Sequence, residues 1–278
     1  MLSLSGEEKA MYDIAETLGF LEEGDALAVS VYERPNYHTV EALYEALDKA
    51  KTAQSRVGGE ISKLEDKDWV SETQSGLPPV EAGRFFIHGS HDANKIPEHA
   101  EFPILIDAGM AFGTGHHGTT KGCLIILDDL LKEGFQPESV LDLGCGAGIL
   151  AIAAAKALQN NTILASDIDQ DAVDVTLENA EFNSVSKNIE AFKADGFVAP
   201  ELESKTFDLI FANILAGPLM GLAPDIFQAT SSKGKVILSG ILNEQAETVK
   251  AAFETSGFEV ESKTKLDEWT SLLATKPL

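Results

Sequence analysis

Two cysteines in 278 residues, Cys123 and Cys145, are too few for a disulfide framework, and no Cys/His cluster has zinc-binding spacing. Basic residues are also scarce. Against 45 Asp and Glu stand 21 Lys and Arg, for a net charge of −24. Such a surface repels phosphate backbones, so salt-driven nucleic-acid binding is disfavoured and a basic protein or a small molecule suits it better. Long apolar runs are missing. The longest charge-free stretch near the middle, residues 209–224, is interrupted by Asn213, Gly217 and Pro218, and falls short of the ~20 residues a membrane helix needs. Residues 1–10 carry no basic segment leading into an apolar one, so no signal peptide is read there. No internal repeat or low-complexity tract is found. A cytoplasmic protein is expected, and no feature demands more than a monomer.

At 44% hydrophobic residues, the chain can fill one large core or two modest ones. Polar residues, glycines and the pair Pro78-Pro79 interrupt all periodicity over residues 71–83. The expected organisation is therefore a recognition domain at 1–65, a linker at 66–83 and a second domain at 84–278. The first reads as small and α+β, with helical spacing at 6–18 and 39–50 and strands at 26–32 and 61–64. The second alternates regularly. Strands are expected at 139–143, 162–166, 189–192, 207–212 and 235–239, and helices at 149–158, 170–183 and 244–256. Gly257 stops the last helix, and two late β-rich runs follow at 258–260 and 270–274. This is an α/β pattern of βαβ units around a mostly parallel, Rossmann-like sheet with helices on both faces.

Asp142-Leu-Gly-Cys-Gly-Ala-Gly148 lies between the first of these strands and its helix. Glycines here let the backbone turn sharply and approach a ligand at the carboxyl edge of the sheet. A dinucleotide enzyme uses a similar turn, but two details separate the readings. A third glycine in G-x-G-x-x-G would fall at Ile149, and Asp142 would oppose a pyrophosphate at the helix N-terminus. S-adenosylmethionine, with an ammonium and a sulfonium, would favour that negative charge. Gly144 and Gly146 then contact this cofactor. Asp167, ending the next strand, can accept both ribose hydroxyls, with Ile168 against the adenine face. Asp195 is placed to bond the adenine amino group, or else only to form an Asp-Gly turn. Asn213 follows the fourth strand, where its amide oxygen would orient an incoming amine, or its side chain would cap the next helix.

One more segment stands out, Asp107-Ala-Gly-Met-Ala-Phe-Gly-Thr-Gly-His-His-Gly-Thr-Thr120. It reads as a loop folded over the ligand, with Thr119 and Thr120 capping a helix at 121–131. Phe112 stacks on adenine or anchors the loop. The adjacent His116 and His117 lack a third ligand at useful spacing, so no metal is expected. Either histidine is a general base or a holder of the loop.

With Phe211-Ala-Asn-Ile214, the two glycine segments give the chain a specific resemblance to the PrmA family, bacterial methyltransferases of large-subunit ribosomal protein eleven. The resemblance runs from Lys67-Asp-Trp69 to the C-terminus. It implies a class I methyltransferase domain, S-adenosylmethionine as cofactor, and that ribosomal protein as substrate. It also implies cofactor contacts at Thr120, Gly144, Asp167 and Asn213, the last also lining the acceptor cleft; the reading of the residues adds Phe112, Gly113, Asp142, Gly146, Ile168 and Asp195 to the expected contacts. A flexibly linked ferredoxin-like N-terminal domain is implied as well. Such a domain needs four strands, and only two convincing ones plus residues 2–4 precede residue 65, so a shortened form is expected. Other readings are a class I methyltransferase of another protein or a small molecule, and a cofactor-binding protein without activity.

Overall fold

The computed structural model describes residues 2–6, 26–34, 37–44, 47–62, 79–106, 117–159 and 161–278. The chain divides into two compact units, Met1–Trp69 and Val70–Leu278.

In the first unit, β1 (Leu2–Gly6), β2 (Ala26–Arg34), β3 (Tyr37–Tyr44) and β4 (Glu60–Ile61) form one antiparallel sheet in the order β2-β3-β1-β4, with α1 (Leu47–Val57) between β3 and β4. This strand order is that of a ferredoxin-like domain, and all four strands are present rather than a shortened set. The helix expected at 39–50 is corrected to a strand followed by a helix. Val40 and Ala42 are both buried, an alternation of period two that suits a strand facing a core on one side. The helix expected at 6–18 lies almost wholly outside the described residues.

The linker expected at 66–83 also falls largely outside them, but its end is ordered. Val80–Ala82 is a strand, β5, with Val80 and Ala82 buried and Glu81 exposed. It joins β6 (Phe85–His88) and β7 (Phe102–Leu105) in a three-stranded sheet. Gly83 turns between β5 and β6, and a buried carboxylate, Asp128, closes the turn against α2 (His117–Lys132). Asp128 accepts from Arg84 Nε and pairs with Lys132 Nζ, both at 2.6 Å.

The larger sheet has seven strands: β8 (Val140–Leu143), β9 (Ile163–Asp167), β10 (Ile189–Lys193), β11 (Phe207–Asn213), β12 (Thr230–Leu242), β13 (Glu259–Leu266) and β14 (Trp269–Thr275). Their order is β10-β9-β8-β11-β12-β14-β13, parallel from β10 to β12 and antiparallel for the closing pair. Helices α3 (Ile149–Ala157), α4 (Gln170–Phe182), α5 (Ala216–Ala229) and α6 (Ala246–Thr255) connect them. Successive strand residues feed opposite cores. Val140, Leu209, Phe211 and Ile237 pack with α2 and α3, whereas Leu141, Ile210, Val236 and Leu238 pack with α5 and α6.

Because β8 and β11 are central, their carboxyl ends open side by side at the point where strand order reverses, the usual ligand position in such sheets. Thr119 and Thr120 are not caps. α2 already begins at His117, which puts both threonines inside its first turn.

Candidate active site

The carboxyl ends of β8 and β11 face a cavity of about 290 Å³ bounded on one side by Thr119, Thr120 and Trp269, and on the other by residues 144–147. Asp142, Ile149, Leu150, Asn213, Ile214, Leu215 and Gly240 complete its lining.

The turn after β8 is held by its neighbours. Gly144 N–H and Cys145 N–H both donate to the Ser166 carbonyl, at 2.8 and 3.0 Å, which ties the turn to β9. Gly144 has φ +75°, and a Cβ there would strike Ile214 Cγ2. Gly146 differs: its φ is +54°, and a Cβ would meet nothing within 4 Å among the described residues. Gly146 also lines the cavity, so its missing side chain leaves room for a ligand to approach the backbone.

Asp142 lies beneath α3. Its Oδ2 accepts from Ala151 N–H at 2.9 Å, satisfying a donor of the first helical turn that Gly148, the N-cap, cannot serve. Only 1% of Asp142 is exposed, and burial pushes its pKa up to about 7; the bond from Ala151 opposes this and the charge of Asp167 adds to it. An anionic carboxylate in so dry a place wants a cation.

Asp167 ends β9 with both oxygens engaged, Oδ2 accepting from Gly146 N–H at 2.9 Å and Oδ1 from Asp169 N–H at 3.0 Å. Each oxygen retains a lone pair for a ligand hydroxyl. Ile168 is 62% exposed beside it, an apolar surface on the same sheet edge. Asp195 is exposed in a bridged turn closed by Val198 N–H on its carbonyl.

Asn213 closes β11, and its Nδ2 donates to Thr120 Oγ1 at 3.4 Å. It does not cap α5, whose N-cap is Leu215. Cys145 also lines the cavity, but burial and the neighbouring Asp142 raise its thiol pKa far above the ordinary range, so it is not a nucleophile.

Of the residues expected to contact a cofactor, the cavity thus gathers Thr120, Asp142, Gly144, Gly146 and Asn213. Asp167 touches it through Gly146, while Ile168 and Asp195 stand on neighbouring strand ends outside the lining. Phe112, Gly113 and His116 lie outside the described residues. Trp269, Gly240 and Ile214 were not anticipated. Trp269 opens the final hairpin strand and packs on Gly118, where a Cβ would come within 3.0 Å of the indole. A tryptophan at a strand end, in a chain with two, was the only available signal. Among the described residues no His/Cys/Asp/Glu group could hold a metal, and no helix is long and apolar enough to cross a membrane.

The donor set fits S-adenosylmethionine: a buried acid for a cation, a strand-end acid for a ribose, and a glycine whose missing side chain leaves space.

Comparison with known proteins agrees with this geometry. The family model described as ribosomal protein L11 methyltransferase (PrmA) matches residues 6–277. Among curated relatives, the ribosomal protein L11 methyltransferase of Rhodopseudomonas palustris is 42% identical over 98% of this chain and 95% of its own length. That of Bradyrhizobium diazoefficiens is 44% identical over 91% of this chain and 89% of its own. A solved structure of a ribosomal protein L11 methylase from Lactobacillus delbrueckii subsp. bulgaricus superposes with a TM-score of 0.63 at 28% identity, covering 73% of this chain and 100% of that one. With a family match running nearly end to end, the chain belongs to the ribosomal protein L11 methyltransferase (PrmA) family.

Proposed function

We propose that this chain transfers methyl groups from S-adenosylmethionine to amino groups of ribosomal protein L11, on lysine side chains, the α-amine or both, in the cytoplasm. The observation that carries the reading is the convergence of a cation-seeking acid, Asp142, and an amine-orienting amide, Asn213, on one cavity. The net charge of −24 favours a cationic protein as acceptor.

Bound in this cavity, S-adenosylmethionine supplies an electrophilic methyl group on a sulfonium. The chain's own residues supply position. Asp142 would hold the ammonium end, and Asp167, locked by two backbone donors, would receive the ribose hydroxyls. Thr120 takes the Asn213 Nδ2 hydrogen, which leaves the amide oxygen as the acceptor for an N–H of the incoming amine. That bond would orient the amine, with its lone pair free for the methyl group that the cofactor would supply.

The amine must arrive neutral. An α-amine with pKa about 8 needs little help, whereas a lysine at about 10.4 must shed its proton to water as it enters an apolar mouth. Ile214, Leu215 and Trp269 form such a wall. No covalent enzyme intermediate is used, consistent with the inert Cys145 thiol. The scheme assigns no step to His116 or to His117, which opens α2.

The test is incubation with methyl-labelled S-adenosylmethionine and purified ribosomal proteins, with every product read by mass spectrometry. Label confined to L11 is expected, and its position identifies the amines. Measurable cofactor binding without transfer to any ribosomal protein would discard the acceptor and keep the fold.

A further inference from the structure

The buried face of α4 carries polar side chains where a helix packed on a sheet ordinarily places apolar ones. Thr176, Asn179 and Asn183 are spaced i, i+3 and i+7, so they share one stripe, and all three are buried. A buried hydroxyl or amide is costly without a partner, and each of these finds one outside the helix. Thr176 Oγ1 donates to the Gly146 carbonyl at 2.9 Å, and Asn179 Nδ2 donates to the Ala147 carbonyl at 3.0 Å. Asn183 pairs instead with β7, its Oδ1 accepting from Leu105 N–H at 2.9 Å and its Nδ2 donating to the Leu105 carbonyl at 2.6 Å.

The two carbonyls taken by Thr176 and Asn179 belong to the turn that lines the cavity. A trans peptide directs its N–H opposite to its C=O. With the Gly146 carbonyl turned toward α4, the Ala147 N–H must point away from the helix. The same contact accounts for Gly148, where a Cβ would come within 2.8 Å of Thr176 Cγ2. Helix stability alone does not call for this stripe, since Ala or Leu would cover the same face without buried polar groups.

We infer that Thr176 and Asn179 are positioning residues for S-adenosylmethionine, setting the peptide planes of Gly146 and Ala147, while Asn183 anchors β7 and leaves the turn alone. The inference rests on the reading of this cavity as the cofactor site.

Calorimetric titration of S-adenosylhomocysteine into the full chain tests it, with a melting temperature recorded for each variant. Thr176→Val keeps the shape and removes the donor. It should weaken binding up to about tenfold, the upper range of one neutral hydrogen bond, and Thr176→Ser should restore most of the affinity. Asn179→Leu should lose affinity similarly. Asn183→Leu should lower the melting temperature and leave affinity unchanged.

Wild-type affinity in a folded Thr176→Val would overturn the inference. So would an affinity loss in Asn183→Leu as large as in Thr176→Val, because the stripe would then act only through general helix stability. If Asn179→Leu does not fold, the Val and Ser variants of Thr176 decide alone. A wild-type chain that does not bind S-adenosylhomocysteine would overturn the cofactor reading, and this inference with it.

Discussion

Replacing Asp142 by Asn should make the cofactor-free protein more stable and a poorer binder. The amide keeps an oxygen for Ala151 N–H, so the cap on α3 survives, and only the charge is lost. In the native state the Asp142 carboxyl has its pKa raised from 3.8 to about 7 by burial. Between those values the folded chain holds a proton that the unfolded chain has released, so wild-type stability falls as pH rises and levels off above about 7. At about 1.36 kcal/mol per pH unit, the wild type forfeits roughly 2 kcal/mol at pH 5 and roughly 4 kcal/mol at pH 8. The variant forfeits neither, so its advantage should grow by a few kcal/mol between the two conditions.

Urea unfolding of both proteins at pH 5 and pH 8, without cofactor, measures the difference directly. A variant advantage that is the same at both pH values would refute the argument, because a pH-independent gain cannot come from an ionising carboxyl. A second readout uses the cofactor. Below pH 7 a bound cation should expel the Asp142 proton, detectable by titrating in buffers of different ionisation enthalpy, and Asp142→Asn should abolish that release.

Three further outcomes are expected. Asn213→Ala should reduce turnover more than S-adenosylmethionine affinity, since the amide oxygen is assigned to the acceptor amine; equal losses in steady-state kinetics and calorimetry would remove that role. Gly144→Ala should destabilise the chain by about 1–3 kcal/mol, because φ is +75° and the new Cβ meets Ile214; an unchanged melting temperature would contradict it. Asp128→Ala should cost about 3 kcal/mol near neutral pH by leaving Arg84 without its buried partner. Burial works to raise the Asp128 pKa, but hydrogen bonds from Lys132 and Arg84 hold it below the ordinary value. Its contribution is therefore present above about pH 4 and lost as pH falls through the lowered native value, so the gap between wild type and variant in urea unfolding should close in acid.

The parallel sheet was legible because its strands are short apolar runs ending in a glycine or a polar residue, with an Ala-rich helix after the first and an acidic one after the second; α5, which contains Pro218 and Pro224, lacked such a signal. Where local signals conflicted, tertiary pairing decided. Residues 37–44 contain Glu41, Ala42 and Leu43, good helix formers, yet Val40 and Ala42 pack inward and the segment pairs on both sides, with β1 and β2. Val80–Ala82 was hidden by the Pro-Pro pair before it; a three-residue strand gains its stability from Phe85–His88 beside it rather than from its own sequence. The site divides in the same way. Asp142, Gly144 and Gly146 come from one local turn and carry a local signature. Trp269, Gly240 and Ile214 enter the cavity from segments far apart in the chain, and only the pairing of β12 with β11 on one side and β14 on the other brings their wall together.

The glycine turn shows why a motif can be easier to read than its reasons. Its three glycines differ in their surroundings: Gly144 meets Ile214 after β11, Gly148 meets Thr176 on α4, and Gly146 meets none of the described residues. The first two are demands of packing, which any protein with this close approach of strand, turn and helix would share. Among the described residues of this turn only Gly146 is left open, so there the requirement is its positive φ together with the ligand approach that the proposed function assigns to it. Asp142 divides similarly, one oxygen capping α3 while its charge weakens the fold. A cap alone would be served as well by Asn, at lower cost above pH 5. Under the proposed function, the carboxylate serves as half of an ion pair whose other half the cofactor would bring.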